Sequence, residues 1–217
     1  MTRSKSALLL GATGLTGSHL LPLLLDSVYY DRVIIYTRTP TGITHPKLEE
    51  KLIDYDAWEQ AITADDVFCC LGTTIKKAKT RKAFLKVDLE YPVKIARLQY
   101  AAHSKKFLVV SALGASSGSP LFYSRVKGRL EEEIRRIHFP SLFIFRPSII
   151  TGLRKEKRKA ERIGLLLFRL IRPLLIGHLK KYQPVSALAI AKAMLHAAQT
   201  PVNGTRIVSS EEIQSFT

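Results

Sequence analysis

The chain is poor in carboxylates. Eighteen Asp and Glu stand against 34 Lys and Arg, a formal net charge of +16 over 217 residues. Such an imbalance predicts attraction to phosphates, but it does not choose between a cofactor, a nucleic acid and an anionic lipid. Cysteine is almost missing. Cys69 and Cys70 are adjacent inside the apolar run Val67 to Leu71. Neighbours in sequence rarely form a structural disulfide, so buried free thiols in a reducing compartment are expected. No cluster of His and Cys has metal-ligand spacing, and no metal site is expected. Long apolar runs are lacking too: none reaches 18 residues, and the four apolar residues Ala7 to Leu10 behind the basic N-terminus are too few for a signal peptide. The expectation is a cytoplasmic chain without a transmembrane segment. A chain of this length supports one core. Residues 1–217 are therefore expected to form a single domain, with 152–200 adding a small substrate or lid lobe.

What is present begins at once. Ala7 to Leu10 reads as a strand buried on both faces, Gly11, Gly14 and Gly17 come next at spacings of three, and Leu20, Leu21, Leu24 and Leu25 recur with helical period. A strand that turns directly into a helix needs glycines, both for the turn and to let the backbone approach a pyrophosphate. The helix N-terminus then offers N–H groups and a positive dipole end. Further strand-like segments at Arg32–Tyr36, Leu48–Ile53, Val67–Leu71, Phe107–Ser111 and Ser141–Phe145 alternate with helical stretches, including 83–103 and 123–137. This order predicts an α/β fold, a Rossmann-like doubly wound parallel sheet flanked by helices.

In such units a carboxylate at the end of the second strand holds the ribose of NAD, whereas an Arg accommodates the 2′-phosphate of NADP. Here that strand ends at Thr37-Arg38-Thr39, which favours NADPH over NADH. Asp54, closing the third strand, suits either an adenine amino group or the cap of a helix. Leu71 and Gly72 open the fourth strand at the carboxyl edge of the sheet. The run Lys76 to Lys82 reads as a solvated loop and helix start. Tyr123 and Lys127 are four apart, on one helical face, where an ammonium favours the phenolate and makes the tyrosine a competent proton carrier. The last third is the least readable: 154–162 is nearly all charged, and 164–179 is a basic apolar segment suited to a membrane surface or, more ordinarily, to covering a cleft. Its apolar residues fit a lid or an oligomer interface. Val185 to Gln199 is an amphipathic helix.

Gly11-Ala12-Thr13-Gly14-Leu15-Thr16-Gly17, Cys70-Leu71-Gly72-Thr73-Thr74, Tyr123 to Lys127 and Phe145-Arg146-Pro147 together resemble the atypical branch of the short-chain dehydrogenase/reductases. The resemblance implies a dinucleotide along Thr13, Gly14, Leu15 and Thr16, with Arg38 and Thr39 at the adenosine phosphate. It implies Leu71, Gly72, Ile150 and Arg158 near the cofactor, and Tyr123 with Lys127 as the catalytic pair. The wider family orients the substrate carbonyl with a Ser or Thr past the fifth strand. Here the pair is Ser111-Ala112, which leaves Ser111 as the candidate. The family's frequent Asn on the preceding helix is replaced by Asp88. The implied function is an NADP(H)-dependent oxidoreductase acting on a carbonyl or sugar-type small molecule. The alternatives are a dinucleotide-sensing protein with a basic partner surface and a sugar-nucleotide epimerase or dehydratase.

Overall fold

The computed structural model describes residues 5–152 and 181–217. Its strands are β1 (Lys5–Leu10), β2 (Tyr30–Thr37), β3 (Leu48–Leu52), β4 (Asp66–Cys69), β5 (Lys106–Val110), β6 (Ser141–Phe145), β7 (Ile150–Thr151), β8 (Val185–Ser186) and β9 (Gly204–Val208). Seven of them form a wholly parallel central sheet in the order β3-β2-β1-β4-β5-β6-β9. β7 and β8 form a separate parallel pair. The helices are α1 (Gly17–Asp26), α2 (Ile75–Ala78), α3 (Arg81–Leu85), α4 (Tyr91–Ala101), α5 (Phe122–Arg135), α6 (Ala187–Gln199) and α7 (Ser210–Gln214), with a π-turn at Lys86–Glu90 between α3 and α4.

The apolar runs become central strands because both sheet faces are covered. Leu9, Ile35, Phe68, Leu108 and Phe143 pack under α1 and α6. Leu8, Leu10, Ile34, Val67, Cys69 and Phe107 pack under α4 and α5. Successive side chains point to opposite faces, so a strand feeding two helical layers must be apolar at every position. Within the described part of the expected lobe (152 and 181–200), α6 contributes Ala189, Ile190, Ala193 and Met194 to the same buried cluster as Leu20, Leu21 and Leu24. It is thus one of the sheet's own helical layers. The single helix expected over 83–103 is instead α3, the π-turn and α4. A π-turn adds one residue to the turn and rotates the helix beyond it, and here it carries Asp88 into the interior.

The glycine spacing has a direct cause. Gly11 has φ +78°, and a Cβ there would stand 2.8 Å from the Cys70 carbonyl oxygen, so the loop lies hard against the end of β4. A Cβ on Gly17 would stand 2.1 Å from the Gly11 carbonyl oxygen, which is how α1 starts directly on its own strand.

Candidate active site

Parallel register brings the ends of β1, β2 and β4 to one edge. Leu10 pairs with Tyr36 and with Cys69, so the loop 11–16 emerges between the segments that begin at Thr37 and at Cys70. Thr13 and Gly14 are exposed, Leu15 is half-buried and Thr16 is buried. α1 starts with no side-chain cap on its N–H groups and no acidic residue in its first turn. That is an open, positive helix end of ten residues, and it fits a dinucleotide pyrophosphate.

Arg38 and Thr39 are exposed at the end of β2. The turn that bears them is fastened from behind by Glu50, whose carboxylate accepts from Thr37 Oγ1 at 2.8 Å, the Thr41 N–H at 2.9 Å and Thr41 Oγ1 at 3.1 Å. Asp54 caps no helix. Its carboxylate accepts the N–H of Asp56 at 3.0 Å, closing a turn of the Asx kind. Ile150 is half-buried in β7, and a Cβ on Gly152 would stand 2.8 Å from Leu15 Cδ1, so the end of β7 lies over the nucleotide loop. Arg158 and the segments 154–162 and 164–179 lie outside the described residues.

Tyr123 and Lys127 occupy successive turns of α5. Tyr123 is 38% exposed, its ring 5.8 Å from that of Phe84. Lys127 is buried. Its ammonium lies 2.8 Å from Asp88 Oδ1, and Asp88 Oδ2 accepts the N–H of Thr73 at 2.8 Å. A Cβ on Gly72 would be 3.4 Å from Asp88 Oδ1 and 3.8 Å from Lys127 Nζ, so β4's exit loop, the π-turn and α5 converge on one ion pair. Leu71, half-buried, precedes that contact. Burial works against the Lys127 charge, but the Asp88 carboxylate and then the Tyr123 oxygen outweigh it and hold its pKa above the usual lysine value.

Ser111, the candidate for orienting a substrate carbonyl, has a partner within the chain. Its hydroxyl, buried, donates to Glu131 Oε1 at 2.6 Å. Glu131 also accepts from Arg146 Nε at 2.9 Å and Arg146 Nη2 at 2.6 Å. The Ser111 hydroxyl thus donates to a buried carboxylate, and the guanidinium of Arg146 is held above its usual pKa by that same carboxylate. Sequence reasoning gives Glu131 and Arg146 no role. The signal within reach is spacing: Glu131 stands one turn beyond Lys127, on the buried face that Leu130 and Ile134 share. Both cysteines are free, Cys69 buried and Cys70 half-buried, and burial pushes the Cys69 thiol up to about 11 and the Cys70 thiol well above its ordinary value.

The profile of the NAD dependent epimerase/dehydratase family matches residues 7–127, from the first strand to Lys127 in α5. The chain belongs to that family. It is 32% identical over 173 residues to Protein HTATIP2 of Rattus norvegicus, covering 76% of this chain and 71% of that one. It is also 32% identical over 216 residues to Protein FMP52, mitochondrial, of Meyerozyma guilliermondii, covering 95% and 93%. These are atypical short-chain dehydrogenase/reductases, as the motifs indicated. Among solved structures, MoeE5 in complex with UDP-glucuronic acid and NAD superposes with a TM-score of 0.70 at 16% identity, over 94% of this chain and 75% of that one. The UDP-Glc/GlcNAc 4-epimerase of Campylobacter jejuni does so with 0.70 at 13%, over 98% and 82%. At those identities the shared feature is the fold.

One expectation is overturned. The relatives from Meyerozyma guilliermondii, Aspergillus niger and Debaryomyces hansenii are all named mitochondrial, against the cytoplasmic reading. That reading rests on the lack of a secretory apolar run, and such a lack speaks to secretion only. No helix of the described residues is long and apolar enough to cross a membrane.

Proposed function

We propose that this family member is an NADP(H)-dependent oxidoreductase acting on a carbonyl or sugar-type small molecule. The observation that carries the reading is the convergence of Tyr123, Lys127, Asp88 and Gly72 at the carboxyl edge of a dinucleotide-binding sheet. In this reading Gly11, Thr13, Gly14, Leu15, Thr16 and Gly17 hold the pyrophosphate. Arg38 and Thr39 hold the 2′-phosphate, Asp54 the adenine amino group, and Leu71, Gly72 and Ile150 the nicotinamide half. When bound, the dinucleotide supplies a hydride donor or acceptor for the substrate carbon. The Tyr123 hydroxyl gives the proton to the substrate oxygen in reduction and takes it in oxidation. Lys127 stays an ammonium throughout and stabilises the phenolate left behind.

A second reading, a dinucleotide-sensing protein, is favoured by one observation: Ser111 is engaged by Glu131, and its neighbour Ala112 has no hydroxyl. A third, a sugar-nucleotide epimerase or dehydratase, draws on the superposed structures, since MoeE5 holds UDP-glucuronic acid and the Campylobacter jejuni protein is a UDP-Glc/GlcNAc 4-epimerase. Fluorescence titration with NADPH and NADH, then turnover of panels of carbonyl compounds and UDP-sugars with Tyr123→Phe, separates the three. An oxidoreductase of this kind binds NADPH more tightly and loses turnover by a factor of about 10²–10⁴ in the variant while binding is kept. Net oxidation of NADPH identifies a reductase, and conversion of a UDP-sugar without it identifies an epimerase or dehydratase. Cofactor binding without turnover on any panel identifies the sensor. Failure to bind either dinucleotide overturns the proposal.

A further inference from the structure

We propose that the rim formed by α2, α3 and the start of α5 docks on an anionic lipid surface. The inference is independent of what the site catalyses. It begins with the distribution of charge. No Asp or Glu occurs from residue 67 through 87, and none from 91 through 130. These stretches contain the loops that leave β4 and β5 at the carboxyl edge. Of the two acids in the gap between them, Asp88 is buried against Lys127 and Glu90 stands at the start of α4. Lys76, Lys79, Arg81 and Lys82 are all exposed on α2, α3 and the residues that join them, and none is paired with a carboxylate among the described residues. Several other surface cations have such partners: Arg32 and Lys51 meet Glu49, Lys86 meets Asp56, Arg97 and Arg136 meet Glu133, and Arg206 meets Glu212. Within the run that reads in the sequence as an ordinary solvated loop, Lys76, Lys79, Arg81 and Lys82 therefore form a cluster of exposed cations with no carboxylate partner among the described residues.

Aliphatic surface accompanies that charge. Ile75 is 50% exposed and Leu121 67% exposed. The two elements are joined into one surface, since the Arg81 guanidinium lies 5.2 Å above the Phe122 ring and Phe84 packs on Phe122 at 5.6 Å. A phosphate backbone gives an exposed Ile or Leu nothing to bury against. The boundary of headgroups and acyl chains does, and it accepts ammonium groups beside the aliphatic ones. Lysine suits this boundary, because its stem lies along apolar surface while its charge stays among headgroups. Tyr123 opens on the same rim, so a docked molecule holds its candidate site at the lipid surface.

The test is co-sedimentation of the full chain with vesicles of phosphatidylcholine alone, or mixed with phosphatidylserine, at rising salt. Binding to the mixed vesicles, weak at high salt and absent from neutral ones, is the expected result. Each lysine near such a surface is worth about fivefold in partitioning, so Lys76→Glu with Lys79→Glu and Lys82→Glu lowers binding by roughly a hundredfold or more. The same number of reversals at Lys105, Arg136 and Lys192, away from this rim, leaves binding within about threefold, because screening confines the attraction to the facing surface. Ile75→Ser with Leu121→Ser weakens it by about tenfold or more at constant charge. Thermal melts verify that each variant is folded, and the wild-type salt series stands without any variant. The proposal is overturned by equal binding to neutral vesicles or by none to either kind. It is overturned equally if the distant reversals match the rim reversals. A DNA duplex bound as tightly as the mixed vesicles, with no effect of the Ile75 and Leu121 changes, identifies a generic polyanion surface and overturns it as well.

Discussion

The Lys127 ammonium lies 2.8 Å from the Asp88 carboxylate, with the two side chains only 4% and 1% exposed. Removing one partner of a buried pair leaves the other charged and unsolvated, which costs about 3–5 kcal/mol. Asp88→Ala therefore lowers the melting midpoint by roughly 10 °C at the usual entropy of unfolding for a chain of this size. Asp88→Asn keeps an acceptor for the Thr73 N–H but removes the charge. Burial then acts on Lys127 against Tyr123 alone, and the buried Cys69 thiol is neutral. The Lys127 pKa falls. In the wild type this pKa is raised above the unfolded value, so the contribution of the pair is fully present below the ordinary lysine pKa. It is lost only as pH rises through the still higher folded value. The measurement is turnover and stability against pH: wild type flat through the neutral range, Asp88→Asn declining well below the wild-type limit. A flat profile in the variant refutes the role given to Asp88.

Gly17→Ala places a methyl where the Gly11 carbonyl oxygen already stands, 2.1 Å away. Backbone meets backbone there, and no side chain can swing aside. The start of α1 must shift off the loop, at a cost of about 1–3 kcal/mol. Dinucleotide affinity falls by at least about tenfold with it, since the N–H groups at the helix start lose their alignment. Gly118→Ala, with nothing within 4 Å of its Cβ, is the control and changes neither quantity. Calorimetry and a fluorescence titration on the two variants check both expectations.

The first βα unit was legible because its constraints are local. The glycines at 11, 14 and 17 answer to contacts within the loop and to the end of β4. The central strands β1, β2, β4, β5 and β6 were legible because both of their faces are buried, which makes them largely apolar, whereas the edge strands β3 and β9 are not buried in this way. The pairing of Asp88 with Lys127 was not legible for the opposite reason. Asp88 sits in Val87-Asp88-Leu89, and a period of 3.6 read through 83–103 gives no hint that the π-turn brings it beneath Lys127. Glu131 is hidden in Glu131-Glu132-Glu133, where a run of acids reads as a solvated face. Only the partners from β5 and β6, Ser111 and Arg146, distinguish Glu131 from the other two, and they are 20 and 15 residues away. Two-residue β7 and β8 are too short to have a period at all.

Arg38 extends from a turn that Glu50 fastens through Thr37 and Thr41. Charge-assisted hydrogen bonds are worth about 1.5–3 kcal/mol, so Arg38→Ala weakens NADPH binding by about ten- to a hundredfold and leaves NADH within about twofold. Glu50→Ala leaves Arg38 in place but frees the turn. It reduces the preference for NADPH over NADH by about tenfold, because a turn that is no longer held in place must be ordered on binding. Parallel titrations with the two dinucleotides read this ratio. A wild type with no preference rejects the assignment of Arg38, whereas a preference untouched by Glu50→Ala rejects only the role of Glu50.

Ser111→Ala separates the two roles open to that serine. If its hydroxyl serves Glu131, as the 2.6 Å contact indicates, the change removes one hydrogen bond to a carboxylate that still has both bonds from Arg146. The loss is about 1 kcal/mol of stability, and turnover falls by no more than about threefold. Glu131→Gln costs more, about 3 kcal/mol, because it leaves the half-buried Arg146 charge without its counter-charge. Turnover under saturating dinucleotide and substrate decides the matter. A loss of about a hundredfold or more in Ser111→Ala, with the melting midpoint nearly unchanged, would mean that the hydroxyl leaves Glu131 to meet the substrate oxygen. A small loss, with Glu131→Gln mainly destabilising, makes Glu131 the clamp that fixes the ends of β5 and β6 against α5. Tyr123 then provides the reacting proton without help from Ser111.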